Sequence, residues 1–166
     1  TLLNFPLFNS SLNGDLDGIV IKDYINIGIA VDTSYGLIVP SIKDVHNLGI
    51  IGIAEEIMRL AELAKARKLT ASELQGGSFS VSSLGGIGGK FFTPIINPPE
   101  VGILGISKTF EKLCLINKQP ENRTFLPLSL SYDHRVINGA YAASFIAALS
   151  KSLSNTDWIV ENIDHG

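Results

Sequence analysis

The chain holds three histidines, and one of them, His134, stands between Asp133 and Arg135 in the run SYDHRVINGA, residues 131–140. An imidazole flanked by opposite charges and followed by an asparagine–glycine pair is an arrangement able to hold a proton acceptor in place. In an extended strand neighbouring side chains point to opposite faces, so Asp133 and Arg135 share one side and His134 projects from the other. Asp133 is then badly placed to orient His134 as the acid of a catalytic triad would. Its natural partner is Arg135, in an ion pair that would fix the backbone around the imidazole. Away from a carboxylate, an imidazole is mostly neutral near pH 7 and can take up a proton. Asn138, four residues on, is suited to cap the helix that follows and to donate a side-chain hydrogen bond near the histidine. Spacing alone carries the reading to a candidate base at a strand-to-helix turn. A lone histidine in such a place is more often structural, and an Asp-His pair without further spaced ligands does not make a metal site.

The second cluster is hydroxylic. Ser78, Ser80 and Ser82 fall on one face of SFSVSSL, residues 78–84, with Phe79 and Val81 on the other. The SSLGGIGGK segment (82–90) invites a phosphate-loop reading. A Walker loop, however, requires glycine where Leu84 stands and Ser or Thr where Phe91 stands. Two readings are left, a turn between strands and a mobile active-site loop.

The elements that must position these groups are strands and helices without a strict alternation, which gives a mixed α/β or α+β class. YINIGIAVD (24–32) alternates as a strand, and GLIVP (36–40) follows as a hairpin partner or a bent continuation. Residues 50–69 switch to helical spacing, with Ile53, Ile57, Leu60 and Ala64 on one stripe and Glu55 four residues before Arg59 on the wet side. TASE (70–73) has the capping-box form for one short turn, stopped by Gly76 and Gly77. EVGILGISK (100–108) is apolar on both faces, as a central strand requires. FLPLSLSYD (125–133) alternates, placing Leu128, Leu130, Tyr132 and His134 on one side. The polar segment 109–124 reads as one strand and an exposed loop. Residues 139–153 read as a helix, apolar around most of its surface and therefore expected to be buried.

With 166 residues and 45% apolar side chains, the chain suffices for one sizeable core in a single domain. A net charge of −3 and no basic stripe give no support to a nucleic-acid or anionic-membrane surface. The lone Cys114 has no partner for an internal disulfide and no ligand spacing around it, which points to a reducing compartment. The opening TLLNFPLFNSSL lacks a helix cap, a signal peptide and a membrane span, so the expectation is a soluble fragment that begins inside an element.

Taken together, LSLSYDHRVINGA resembles the signature DHRxxDG of the catalytic domain of dihydrolipoyl acyltransferases, components of 2-oxo acid dehydrogenase complexes. Asn138 stands where many members carry aspartate. GGSFSVSSLGGIGG, INPPEVGILGISK and INIGIAVDTSYGLIVP resemble three further blocks of that family, from Phe5 to about Leu153. The resemblance implies a fold like chloramphenicol acetyltransferase, a mixed sheet with flanking helices. It implies a homotrimer with each active site at a subunit interface, entered from opposite ends by coenzyme A and by a lipoyl arm carried on a separate domain. His134 would be the general base for the attacking thiol. Ser82, from the neighbouring subunit, would donate to the tetrahedral oxyanion. Asn138 would stand in for the family aspartate as a hydrogen-bonding group, and Asp32 matches a position near the channel. No metal is implied.

The similarity around Asn138 and INPPEVGILGISK points to the acetyl-transferring branch of pyruvate dehydrogenase. Succinyl- and branched-chain-transferring relatives, or an assembly scaffold of reduced activity, are the alternatives. Trimers would build a larger core, with 24 copies favoured over 60, serving decarboxylase and dihydrolipoyl dehydrogenase partners. The setting would be bacterial cytoplasm, or the mitochondrial matrix in a eukaryote. By the same comparison residues 1–166 form one acyltransferase catalytic domain truncated at its amino-terminal end, lacking the first strand and most of the first helix.

Overall fold

The computed structural model describes residues 1–86, 88–161 and 163. Two 3-10 turns, Leu2–Asn4 and Pro6–Asn9, lead into the antiparallel pair β1 (Ser10–Leu12) and β2 (Ile19–Ile21). The alternating run 24–32 makes two strands instead of one, β3 (Ile27–Ile29) and β4 (Val31–Thr33). Pro40 is the physical reason. It accepts from the Ile29 N–H at 2.8 Å but has no N–H to return, so the ladder on that side ends. Beyond the break β4 folds onto β5 (Gly36–Ile38) as a hairpin through Ser34 and Tyr35.

After β6 (Ser41–Ile42) comes α1 (Ile50–Lys65), whose stripe buries Leu60 and Ala64. Arg59 does not pair with Glu55 as the i,i+4 spacing suggested. It reaches Glu56 at 2.6 Å and Glu73 at 2.8 Å, because the TASE turn brings Glu73 back over the helix. That turn forms its reciprocal bonds, with Thr70 N donating to Glu73 Oε2 at 2.8 Å and Glu73 N to Thr70 Oγ1 at 3.3 Å. Tyr35 ties the β4–β5 turn to the end of α1 by donating to the Ala64 carbonyl, with Arg67 over its ring.

The remaining elements are β7 (Phe79–Ser83), β8 (Gly102–Ile106), β9 (Phe110–Ile116), β10 (Gln119–Phe125), β11 (Leu128–Tyr132), α2 (Gly139–Leu153) and α3 (Thr156–Glu161). The main sheet runs β11-β8-β7-β3-β6. Its β3–β7 and β7–β8 pairs are parallel and its β8–β11 and β3–β6 pairs antiparallel, which makes it a mixed α/β sheet. β8 lies inside the sheet and is almost wholly buried, as its two apolar faces require.

The expectation of one strand and a loop over 109–124 is corrected: β9 and β10 form a continuous hairpin turning at Asn117 and Lys118, both with positive φ. Its polar residues are tolerated because the ribbon stands off the main sheet and is wet on both sides.

The core gathers Phe8, Phe79, Val101, Leu104, Val136, Ile137, Ala142 and Phe145. Phe8 and Phe145 lie 4.3 Å apart between ring centroids. They close over β8 where Gly102 stands, since a Cβ there would come within 2.8 Å of Phe8. α2 occupies the residues expected, but within the chain it buries only Ala142 and Phe145 fully. Its apolar surface is mostly alanine, whose small side chains leave little area to cover, so the expectation of a fully buried helix does not hold for a single copy.

Candidate active site

His134 does not lie in a strand. β11 ends at Tyr132, and the Asp133 N–H still completes the ladder by donating to Val101 O at 2.9 Å. The chain then turns, with the N–H groups of Val136 and Ile137 both donating to the Asp133 carbonyl at 3.0 Å. Val136 and Ile137 enter the core, and Asn138 caps α2 by accepting from Tyr141 N at 2.9 Å. The imidazole therefore sits on a short turn held by the sheet before it and by the buried Ile137 and capped helix after it. His134 is exposed, with the Tyr132 ring 5.8 Å away between centroids.

Strand alternation is thus the wrong reason for bringing Asp133 to Arg135; the turn does it. Arg135 donates to both Asp133 carboxylate oxygens, the shortest contact being 2.6 Å from Nη2, and its backbone N–H adds a bond at 3.0 Å. Those side-chain bonds hold the Asp133 carboxyl below the usual aspartate range, against a smaller effect of burial. With both oxygens engaged, Asp133 supports the turn and does not orient His134. Asn138 spends its amide oxygen on the cap, which leaves its NH2 group to donate. An ionised aspartate at that place would cap equally well but have no proton to give.

The hydroxyl row is graded in depth. Ser78 is 1% exposed and exchanges hydrogen bonds with the Asn26 backbone, both at 3.1 Å. Ser80 is fully buried, and Ser82, near the end of β7, is half-buried. Register fixes how far Ser82 stands from His134. Ser82 is level with Gly105, and Gly105 with Ser129, three residues before Tyr132 on β11. At ~3.4 Å per residue and ~4.8 Å between strands, Ser82 lies about 14 Å from Tyr132 and farther from His134. The hydroxyl and the imidazole of one chain do not meet at one reacting atom.

Asp32 is exposed on the β4–β5 hairpin, opposite Leu37. Among the described residues no group of His, Cys, Asp or Glu is gathered to hold a metal ion. After Ser83 the chain turns out of the sheet, with Leu84 N donating to Ile106 O at 2.9 Å and Gly88 and Gly89 at positive φ; Ile87 lies outside the described residues. Two groups near these sites are not marked by local spacing. Strand alternation puts Tyr132 on the face of His134 without implying the ring contact the turn makes. Glu100 opens a strand, and a carboxylate leading directly into a run apolar on both faces is a signal of burial.

The fold is that of chloramphenicol acetyltransferase, whose structure superposes with a TM-score of 0.50 at 13% identity over 84% of this chain and 65% of that one. The family model for the 2-oxoacid dehydrogenases acyltransferase catalytic domain matches residues 1–160, and the chain belongs to that family. It is 51% identical over 159 residues to the dihydrolipoyllysine-residue acetyltransferase component of the pyruvate dehydrogenase complex of Buchnera aphidicola. The match covers 96% of this chain and 40% of that protein, so the chain spans less than half the length of that relative. The succinyltransferase component of the 2-oxoglutarate dehydrogenase complex of Rickettsia felis is 39% identical over 155 residues, 92% of this chain and 39% of that one.

Among solved structures, dihydrolipoamide acetyltransferase of Azotobacter vinelandii superposes with a TM-score of 0.91 at 47% identity, over 96% of this chain and 65% of that one. The roles of a serine, a histidine and an asparagine in its catalytic mechanism were investigated. The cubic core of a pyruvate dehydrogenase multienzyme complex superposes equally well, with a TM-score of 0.91 at 48% identity and the same coverage of 96% and 65%.

Proposed function

We propose that this chain transfers an acetyl group from S-acetyldihydrolipoamide to coenzyme A, in an active site that two copies of the chain complete together. The observation that carries the reading is an interval. The serine of the Azotobacter enzyme precedes its histidine by 52 residues and the asparagine follows by four, the same separations as Ser82, His134 and Asn138. Acetyl is favoured over succinyl because the acetyl-transferring relative is the more similar, 51% against 39% identity.

In this reaction His134 takes the proton of the coenzyme A thiol, and the thiolate sulfur attacks the thioester carbonyl carbon. Negative charge gathers on the former carbonyl oxygen, where the Ser82 hydroxyl of a neighbouring copy donates a hydrogen bond. Collapse breaks the bond to the dihydrolipoamide sulfur, which leaves with the proton held by the imidazolium. Asn138 caps the helix that follows the His134 turn, and its NH2 group remains to donate in the reaction. Asp133 and Arg135 fix the turn. Asp32 is the weakest of these assignments, a charged residue toward the channel.

The separation of Ser82 from His134 along the sheet supports a site shared between copies, as a trimer would provide, and the likeness to a cubic core supports 24 copies. In such a core, decarboxylase and dihydrolipoyl dehydrogenase would be the partners that load and reoxidise the lipoyl arm.

The test is complementation in the full-length protein. His134→Ala and Ser82→Ala variants are each assayed for acetyl exchange, then co-assembled from the unfolded mixture. If the two groups come from different copies, random mixing restores about a quarter of the sites, because some interfaces pair an intact histidine with an intact serine. Mixed assemblies as inactive as either parent would overturn the shared site. Wild-type exchange in both single variants would overturn the mechanism.

A further inference from the structure

Glu100, at the entrance to β8, has no part in the reaction as described above. Its side chain is 6% exposed, and it is in none of the ion pairs recorded among the described residues. Glycine makes the room it occupies. A Cβ at Gly77 would lie 2.5 Å from Glu100 Oε1, and a Cβ at Gly28 would lie 2.4 Å from Ser80 Oγ. Ser80 is fully buried in the middle of the hydroxyl row, and its side chain adjoins the Glu100 carboxyl. Neither Ser80 Oγ nor Glu100 Oε2 meets a partner at good hydrogen-bond geometry among the described residues, although the Ser80 and Asn97 side chains lie close enough to act on the carboxyl. The neighbouring Ser78 and Asn26 spend their polar groups on backbone, so they do not satisfy the pair.

The charged groups around this chamber are otherwise engaged. The Lys43 ammonium donates to the Gln75 carbonyl near Gly76, with Asp44 beside it in sequence. Asp133 and Arg135 line the same cleft as Glu100 and are bound to each other. A carboxylate buried at the edge of a cleft without a counter-charge is disfavoured, whereas the same group carrying its proton is a hydrogen-bond donor. Burial accordingly pushes the Glu100 carboxyl above the usual glutamate range, with Ser80 and Asn97 drawing it partly back.

We propose that Glu100 is a positioning residue, a neutral carboxylic acid whose O–H closes onto the Ser80 hydroxyl and locks β7 against the entrance of β8. Ser82, two residues along the same face of β7, is thereby fixed for its partner copy. This rests on the reading of Ser82 as the oxyanion donor, but the state of the acid is tested separately from it.

In the full-length assembled protein, thermal unfolding of wild type and Glu100→Gln is compared from pH 5 to pH 9. The folded protein holds the Glu100 proton more tightly than the unfolded chain does, so that stability is fully present at low pH and is lost as pH rises through the folded-state value. The wild-type melting temperature therefore falls relative to Glu100→Gln with rising pH. A constant difference overturns the neutral acid. So does a Glu100→Gln variant that becomes the less stable at high pH, which is the result if a neighbouring copy supplies a cation to an ionised Glu100. For the positioning role, Glu100→Met lowers kcat about tenfold with KM for coenzyme A unchanged, while Glu100→Gln stays within about twofold of wild type. Equal turnover in the two variants overturns that role. If Ser82→Ala is itself without effect, the failure belongs to the reading of Ser82, and the melting comparison still decides the acid.

Discussion

His134 and Ser82 occupy opposite situations in the same sheet. The histidine turn is finished within one chain: the sheet holds its entry, Asp133 accepts three backbone N–H groups and a guanidinium, and Ile137 anchors its exit in the core. Ser82 stands near the end of β7, after which the chain leaves the sheet through a glycine-rich turn. Its support is the pairing of β7 with β8, where Ser82 lies level with Gly105. A proton acceptor must be aimed by its own backbone, whereas an oxyanion donor needs only to be presented to a neighbour. On the proposed mechanism, this difference is what a site shared between two copies requires: one group positioned within its own chain and the other presented to a neighbour.

The sharpest way to break this comparison is to remove each group in turn. His134→Ala costs about 10²- to 10⁴-fold in acetyl-transfer turnover with an unchanged fold, measured by exchange between dihydrolipoamide and coenzyme A. Ser82→Ala costs roughly 10²- to 10³-fold in kcat, with coenzyme A binding little altered. If Ser82→Ala raises KM instead, the serine binds substrate and does not act on the transition state.

Smaller effects test the supports. Asn138→Ala removes the α2 cap and lowers stability by about 1 kcal/mol, while Asn138→Asp keeps the cap; chemical denaturation separates the two. Turnover equal in Asn138→Asp and wild type would show that the amide N–H donates nothing in the reaction. Asp133→Ala loosens the turn from both sides of Arg135 and lowers stability by about 1 kcal/mol, small because the pair is partly exposed. Unchanged thermal unfolding would remove that support. The contribution of Asp133 is present above the ordinary aspartate range and is lost as pH falls through its lowered folded-state value.

The smallest expected effect lies far from the chemistry. The Thr70 N–H and hydroxyl, then Arg59, hold the Glu73 carboxyl down to about 2. Glu73→Gln should therefore flatten the loss of stability on acidification below the ordinary glutamate range and leave turnover untouched. An acid limb identical to wild type would count against the pairing.

Much of this was legible in the order of residues. The α2 boundaries, the central character of β8, the capping box at Thr70 and the cap at Asn138 all follow from local rules that act within a few positions. The Asp133–Arg135 pair was legible too, though through the wrong geometry, because residues two apart meet in a turn as readily as across a pleat. Other features depend on what lies beside a segment. The ladder ends at Pro40 through a missing N–H that matters only because β3 lies beside it, and 109–124 forms a hairpin whose second strand is exposed throughout. Arg59 found Glu73, which returns over the helix from outside it.

The sequence by itself determined the family and the identity of the groups able to do chemistry, since motif blocks and side-chain types are written residue by residue. Only the tertiary structure decided that Ser82 and His134 of one chain stand apart, and that Glu100 is buried beside Ser80. Those are facts of strand order and register, which bring together or separate residues that no local spacing relates.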